Sequence, residues 1–269
     1  MPFRYWVSLS YLVCRILDTV EDSTWESVEL RKSQFASFDA FIKNLPSDHE
    51  VQFWVAKFPD DIPEGEKILL GDASIIFENI HELAPEIKKV LQQCILQMSR
   101  GMQGFMSKGP LRLTSLKKVN LYCYFVAGLV GKLLTQLFLL YKPQFSPSKS
   151  LKKNALHFGL FLQKVNILKD QLEDELSGRH LVPDREAVLA SAQQNANAGL
   201  DYILALPPEE KGYRVFCAWS FFLGMATLAK GSIKMVREET HKLLGQVQAI
   251  AGDNAALKRL FEQFGLHST

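Results

Sequence analysis

Cysteine is scarce in this chain and follows no pattern. The 269 residues include four, Cys14, Cys94, Cys123 and Cys217, with no CxxC and no metal-ligand spacing. A disulfide scaffold and a thiolate zinc site are thereby excluded, and buried free thiols in a reducing compartment are expected. Charge of one sign is missing too: 31 basic and 29 acidic residues leave a formal net charge of +2. Without a dense basic tract, nothing calls for nucleic acid as a partner. The opening MPFRYW has neither the separate apolar stretch nor the cleavage site of a signal peptide, and the closing KRLFEQFGLHST carries no hydrophobic anchor. Repeats, low-complexity tracts and convincing strand signals are also lacking. A cytoplasmic chain without a transmembrane anchor is the expectation.

What remains is helical periodicity over a 47% hydrophobic chain, enough for an ample core. The spacing predicts helices over 4–22, 25–44, 74–107, 114–141, 147–177, 184–205, 208–230 and 233–263. Turn signals such as NLPSDH, FPDDIPEGEK, KPQFSPSKS and LPPEEKG separate them. Breaks this short join packed helices, so a single all-α domain over 1–269 is expected. The run LYCYFVAGLVGKLLTQLFLLY, 121–141, is long enough to span a bilayer. Lys132 and Gln136 inside it favour a buried helix instead.

Two of these helices carry acids where their neighbours are apolar. In YLVCRILDTVEDS, Asp18, Glu21 and Asp22 lie at i, i+3, i+4 and share one face. Tyr11 and Arg15 extend the stripe. In HFGLFLQKVNILKDQLEDELSGRHLVP, a second stripe runs through Gly159, Gln163, Asn166, Asp170 and Glu173/Asp174. One such D-x-x-E-D is usually a solvated acidic face. Two, each continuing an inward polar line, suggest carboxylates facing one another across a cavity. Buried like charges require cations. Mg²⁺ suits oxygen ligands and shares its shell between carboxylates, water and substrate phosphates, so a metal–diphosphate site is expected.

YLVCRILDTVED, YCYFVAGLVG and GLFLQKVNILKDQLED, followed by GR and P, together resemble the squalene/phytoene synthase family. The last two, and more loosely FCAWSFFLGMATL and GSIKMVREET, resemble its squalene synthase branch. The resemblance runs from about Tyr11 to Arg237. It implies the all-α isoprenoid synthase fold around a central apolar cavity. It implies head-to-head condensation of two farnesyl diphosphates through presqualene diphosphate, then reduction by NADPH to squalene. Peripheral membrane association for product release is part of the same expectation. Asp18, Glu21, Asp22, Asp170, Glu173 and Asp174 match the two magnesium motifs. Tyr11 and Arg15 match positions near the diphosphate, and Tyr122 a tyrosine assisting ionisation or proton transfer. Gln163, Asn166, Lys169, Met98, Met102, Val126 and Gly128 match the substrate pocket, and Lys234, Arg237 and Arg179 the cofactor site.

For several of these the residues alone leave alternatives. Ala127, Gly128 and Gly131 make room either for a long apolar chain or for a neighbouring helix. Met98 and Met102 line a greasy tunnel or simply pack a core, and Lys234 and Arg237 also suit a solvated helix face. The chain departs from the family pattern in three places. It starts after the helix, bearing a Ser-Arg-Ser-Phe-like motif, that precedes the first acidic helix, which reads as a misplaced start or a shortened paralogue. Lys169 replaces an arginine and loses the bidentate fork. Ser220 and Phe221 replace a proline and its follower, which weakens the case for reduction. Two other outcomes therefore stand beside squalene formation. One is a non-reductive synthase stopping at presqualene diphosphate or making dehydrosqualene or phytoene. The other is a non-catalytic paralogue that binds prenyl diphosphates.

Overall fold

The computed structural model describes residues 2–106, 109–233 and 235–265. Among them there is no strand; one isolated bridge pairs Arg112 with His180, so the all-α expectation holds. The residues group into two compact units, each built from separate stretches of chain.

The first unit comprises the residues up to Gly109 together with Leu133–Phe145. It contains α1 (Pro2–Asp22), α2 (Val28–Lys43), α3 (Asp48–Val55), α4 (Glu64–Gly71), α5 (Ala73–Glu82) and α6 (Pro85–Gly104). Helices α3 and α4 fall where only turns are expected. Ser47 and Glu50 close a reciprocal capping box that starts α3, and Pro63 starts α4 at its N-cap. The helix expected over 74–107 is two, because Leu83 turns extended and Pro85 takes the first helical position of α6. Trp54 packs edge-on against Phe41 and Phe77, with centroids 5.7 and 6.2 Å away. Its indole N–H donates to the Gln34 carbonyl at 3.1 Å, and the Gln34 amide donates back to the Trp54 carbonyl at 3.1 Å. A large ring and a polar side chain are thus buried together with their donors satisfied.

The second unit comprises 110–132 and the residues from Ser146 onward. Helix α7 (Leu116–Cys123) passes through a π-helical turn, Tyr124–Gly128, into α8 (Leu129–Tyr141), whose later residues belong to the first unit. Then come α9 (Leu151–Lys169), α10 (Gln171–Leu176), α11 (Arg185–Ala205), α12 (Lys211–Ala229), α13 (Arg237–Ile250) and α14 (Asn254–Glu262). The helix expected over 147–177 breaks at Asp170, and that over 233–263 divides before Asp253, which caps α14. Phe158, Phe161, Phe221 and Phe222 form one buried aromatic cluster. Leu116–Tyr141 is the one described helix long and apolar enough to cross a membrane, and 50% of its most apolar window is buried within the protein. All four cysteines are buried free thiols.

Glycine decides how α8 meets α9. A Cβ on Gly131 would lie 2.1 Å from the Ala155 carbonyl oxygen, and one on Gly159 would lie 2.3 Å from that of Ala127. Only two hydrogens in place of methyls allow these backbones to approach so closely. The room left by Ala127, Gly128 and Gly131 is therefore filled by a neighbouring helix. Gly128 itself faces Leu156 and Leu160, which corrects its assignment to the substrate pocket. Gly159, likewise, is a packing residue and not the start of a polar line.

Candidate active site

The last turns of α1 form the polar end of an otherwise buried helix. Leu9, Val13, Ile16, Leu17 and Val20 are buried, while Tyr11 on the other side is 62% exposed. Arg15 directs one guanidinium nitrogen to Asp18 at 3.4 Å and another to Glu66 on α4. The Thr19 hydroxyl lies 2.6 Å from the other Glu66 oxygen and 2.8 Å from the Arg15 carbonyl. Burial raises the Asp18 carboxyl to about 7, helped by the charges of Asp22 and Glu66 and opposed by Arg15. A polar cavity of about 230 Å³ opens here, lined among others by Arg15, Thr19, Asp22, Asp61 and Glu66. Arg15 is the one basic residue in that lining.

Glu66 escapes sequence reasoning because its helix is hidden in a stretch rich in Pro, Gly and Asp. The one available signal is its place in the first turn of a short amphipathic helix, where an acid complements the helix dipole.

The second acidic motif is differently disposed. Asp170 ends α9 and begins α10, and its side chain lies 3.3 Å from Lys169. Glu173 is exposed, and Asp174 lies 3.6 Å from the Arg179 guanidinium. Neither motif is buried as a whole: Asp22 and Glu173 are exposed, and Glu21, Asp18, Asp170 and Asp174 are half-buried. The expectation of buried carboxylates is corrected accordingly. Among the described residues no three His, Cys, Asp or Glu side chains converge on one point to hold an ion unaided.

Other expected site residues fall in varied surroundings. Tyr122 is buried at 3% on α7, Gln163 is half-buried, and Asn166 is exposed. Val126 is half-buried within the π-helical turn. Met98 and Met102 are each 1% exposed. The Met98 sulfur lies 4.0 Å from both Cys14 and Cys94, within the first unit's core. Arg237 is exposed at the first turn of α13, followed by Glu238 and Glu239. Lys234 lies outside the described residues.

The fold is the all-α isoprenoid synthase fold. A solved structure of TcSQS with the ligand BPH1237 superposes with a TM-score of 0.80 at 23% identity, covering 99% of this chain and 83% of that one. The squalene/phytoene synthase family pattern matches residues 2–187, and the chain belongs to that family. The squalene synthase of Eremothecium gossypii is 30% identical over 254 residues, 83% of this chain and 55% of that protein. That of Cyberlindnera jadinii is 35% identical over 189 residues, 66% of this chain and 39% of that protein. The chain thus spans between two-fifths and just over half the length of these relatives.

The donors at the end of α1 fit magnesium. They are hard oxygens, and among the described residues no three of them gather to enclose an ion without substrate oxygens and water. Two of the residues expected at a nicotinamide cofactor site are described. Arg179 is engaged with Asp174, and Arg237 stands beside two acids of its own helix.

Proposed function

We propose that this chain is a prenyltransferase that joins two farnesyl diphosphates head to head, releasing one diphosphate to give presqualene diphosphate. The observation that carries the reading is the polar end of α1, where Arg15 and Asp22 line a cavity and Asp18, on the same largely buried helix, pairs with Arg15. Bound Mg²⁺ would neutralise the diphosphate and make it a better leaving group. Asp18, Glu21 and Asp22, and separately Asp170, Glu173 and Asp174, are the carboxylates proposed to hold it. Arg15 would orient the departing diphosphate, with Tyr11 close by on the exposed side of the same helix. The Tyr122 hydroxyl would assist ionisation or take up a proton. Gln163, Asn166 and Lys169 would contact substrate along α9.

Conversion to squalene by hydride from NADPH, with loss of the second diphosphate, is the further stage of this proposal. Lys234, Arg237 and Arg179 are the residues proposed to meet that cofactor. Ser220 and Phe221, in place of the family's proline and its follower, favour a second reading, in which the reaction ends without reduction. The test is to incubate the chain with farnesyl diphosphate and Mg²⁺, with and without NADPH, and identify the extracted products. Squalene only with NADPH supports the reductive route. Presqualene diphosphate or dehydrosqualene in both cases supports the shorter one, and farnesyl diphosphate recovered unchanged refutes both. Asp18→Asn and Asp170→Asn should each lower turnover at least about a hundredfold. Asp18→Asn should not lower the unfolding temperature, since it relieves repulsion from Asp22 and Glu66; Asp170→Asn gives up only a part-exposed contact to Lys169 and should change it little.

A further inference from the structure

At the wall of the cavity beside α1, a single guanidinium faces a surplus of carboxylates. Arg15 bridges Asp18 and Glu66, and the acids that line the cavity itself are Glu66, Asp22 and Asp61. Glu66 is held from two sides, since its other oxygen accepts from the Thr19 hydroxyl at 2.6 Å. That hydroxyl has one proton and two acceptors within reach, the second being the Arg15 carbonyl. The proton serves either acceptor, and Arg15, Thr19 and Glu66 form a polar cluster joining α1 to the first turn of α4. The Glu66 side chain is only 16% exposed and that of Arg15 is 38% exposed, so the pair sits partly out of water, where charges interact strongly. An anion entering the cavity finds Arg15, the one basic lining residue among those described, already engaged.

We propose that Glu66 is a positioning residue that holds Arg15 in reserve and competes with the incoming diphosphate for its guanidinium. This rests on the reading of Arg15 as a diphosphate contact. The carboxylate keeps the long arginine side chain oriented along the cavity wall while the site lacks substrate. Diphosphate binding then exchanges one anionic partner for another instead of ordering a free side chain. The exchange weakens affinity, because the Glu66 charge must be displaced or left uncompensated. Neutralising Glu66 should consequently tighten diphosphate binding, the reverse of what loss of a structural ion pair or of a metal ligand would do.

Titration of the whole chain with inorganic diphosphate in excess Mg²⁺, followed by calorimetry, tests this directly. Glu66→Gln should lower the dissociation constant about fivefold. In an Arg15→Gln background the same change should bring no gain, because Glu66 acts through Arg15. Thr19→Val keeps every charge while removing one anchor of Glu66, and should tighten binding about twofold; it carries the test should Glu66→Gln fold poorly. Wild-type binding with unchanged or weaker affinity in Glu66→Gln overturns the proposal, as does a gain that persists without Arg15. Absence of diphosphate binding in wild type and variants alike overturns the catalytic reading and this proposal with it.

Discussion

Lys164 on α9 is 1% exposed, and its ammonium donates to the Ser191 hydroxyl and the Asn195 side-chain oxygen of α11, each at 2.6 Å. Asn195 in turn meets His157 Nδ1 at 2.9 Å. Burial lowers the lysine to about 8 against an ordinary 10.5, although the Cys123 thiol pulls the other way. At this group the unfolded chain then binds more protons than the folded one between these values, so its own contribution to stability should rise with pH across that window. The buried thiols bound that window from above: burial pushes Cys123 up to about 12 and raises Cys14 and Cys217 as well, so above about pH 9 the folded chain holds protons that the unfolded chain has lost, and stability falls. Urea midpoints should therefore rise between pH 8 and about 9, by at most about 1.4 kcal/mol per unit, and fall again above that. Lys164→Met should abolish that gain. The sequence flags this residue only inside the motif Gly-Leu-Phe-Leu-Gln-Lys. Nothing in it says that the lysine turns inward while Asn166, two residues on, turns out to solvent.

Among the helices, the approach of α8 to α9 gives the sharpest expectation. Gly131→Ala or Gly159→Ala drives a methyl into a backbone carbonyl that cannot rotate away. Each should cost about 3 kcal/mol in denaturant unfolding. Gly245, by contrast, lies inside α13 with open space where its Cβ would be. Gly245→Ala should stabilise by about 0.5–1 kcal/mol. From sequence, the small residues around Gly128 allowed a lipid chain or a helix equally. The choice depended on Ala155, which lies 24 positions beyond Gly131 and which no local pattern connects to it. Long periodic helices such as α1 and α11 were legible almost to their ends. Helices α3 and α4 were not, because eight residues hold barely two turns of periodicity. The Ser-Asp-His-Glu capping box of α3 could have been read; α4, and with it Glu66, had no comparable mark. The acidic motifs were legible as residue types in spacing. The break at Asp170, which turns the second motif away from a continuous stripe, was not.

At the scale of the molecule, residues far apart in sequence finish each other's packing. Arg214, fully buried on α12, donates to the carbonyls of Leu206 and Ala251 and, at 2.6 Å, to the Asn254 side chain. It joins the end of α11 to the turn between α13 and α14. Arg214→Met leaves these acceptors buried without a donor and should cost about 3 kcal/mol. Limited proteolysis should then cut between 237 and 262 sooner than in the wild type. The division of the chain has a different consequence, in time. The first unit takes its last helical stretch from Leu133–Phe145, after the chain has already laid down 110–132 for the second. Phe3, which meets Phe138 edge-on at 5.8 Å and stacks on Tyr141 at 5.3 Å, is synthesised early and must wait for both. By then α7 exists but α9, its packing partner, does not. On the ribosome neither unit can be completed before the other has been started. The growing chain therefore passes through an interval in which two half-built cores are open at once, and that interval is where a chaperone would find the most to hold.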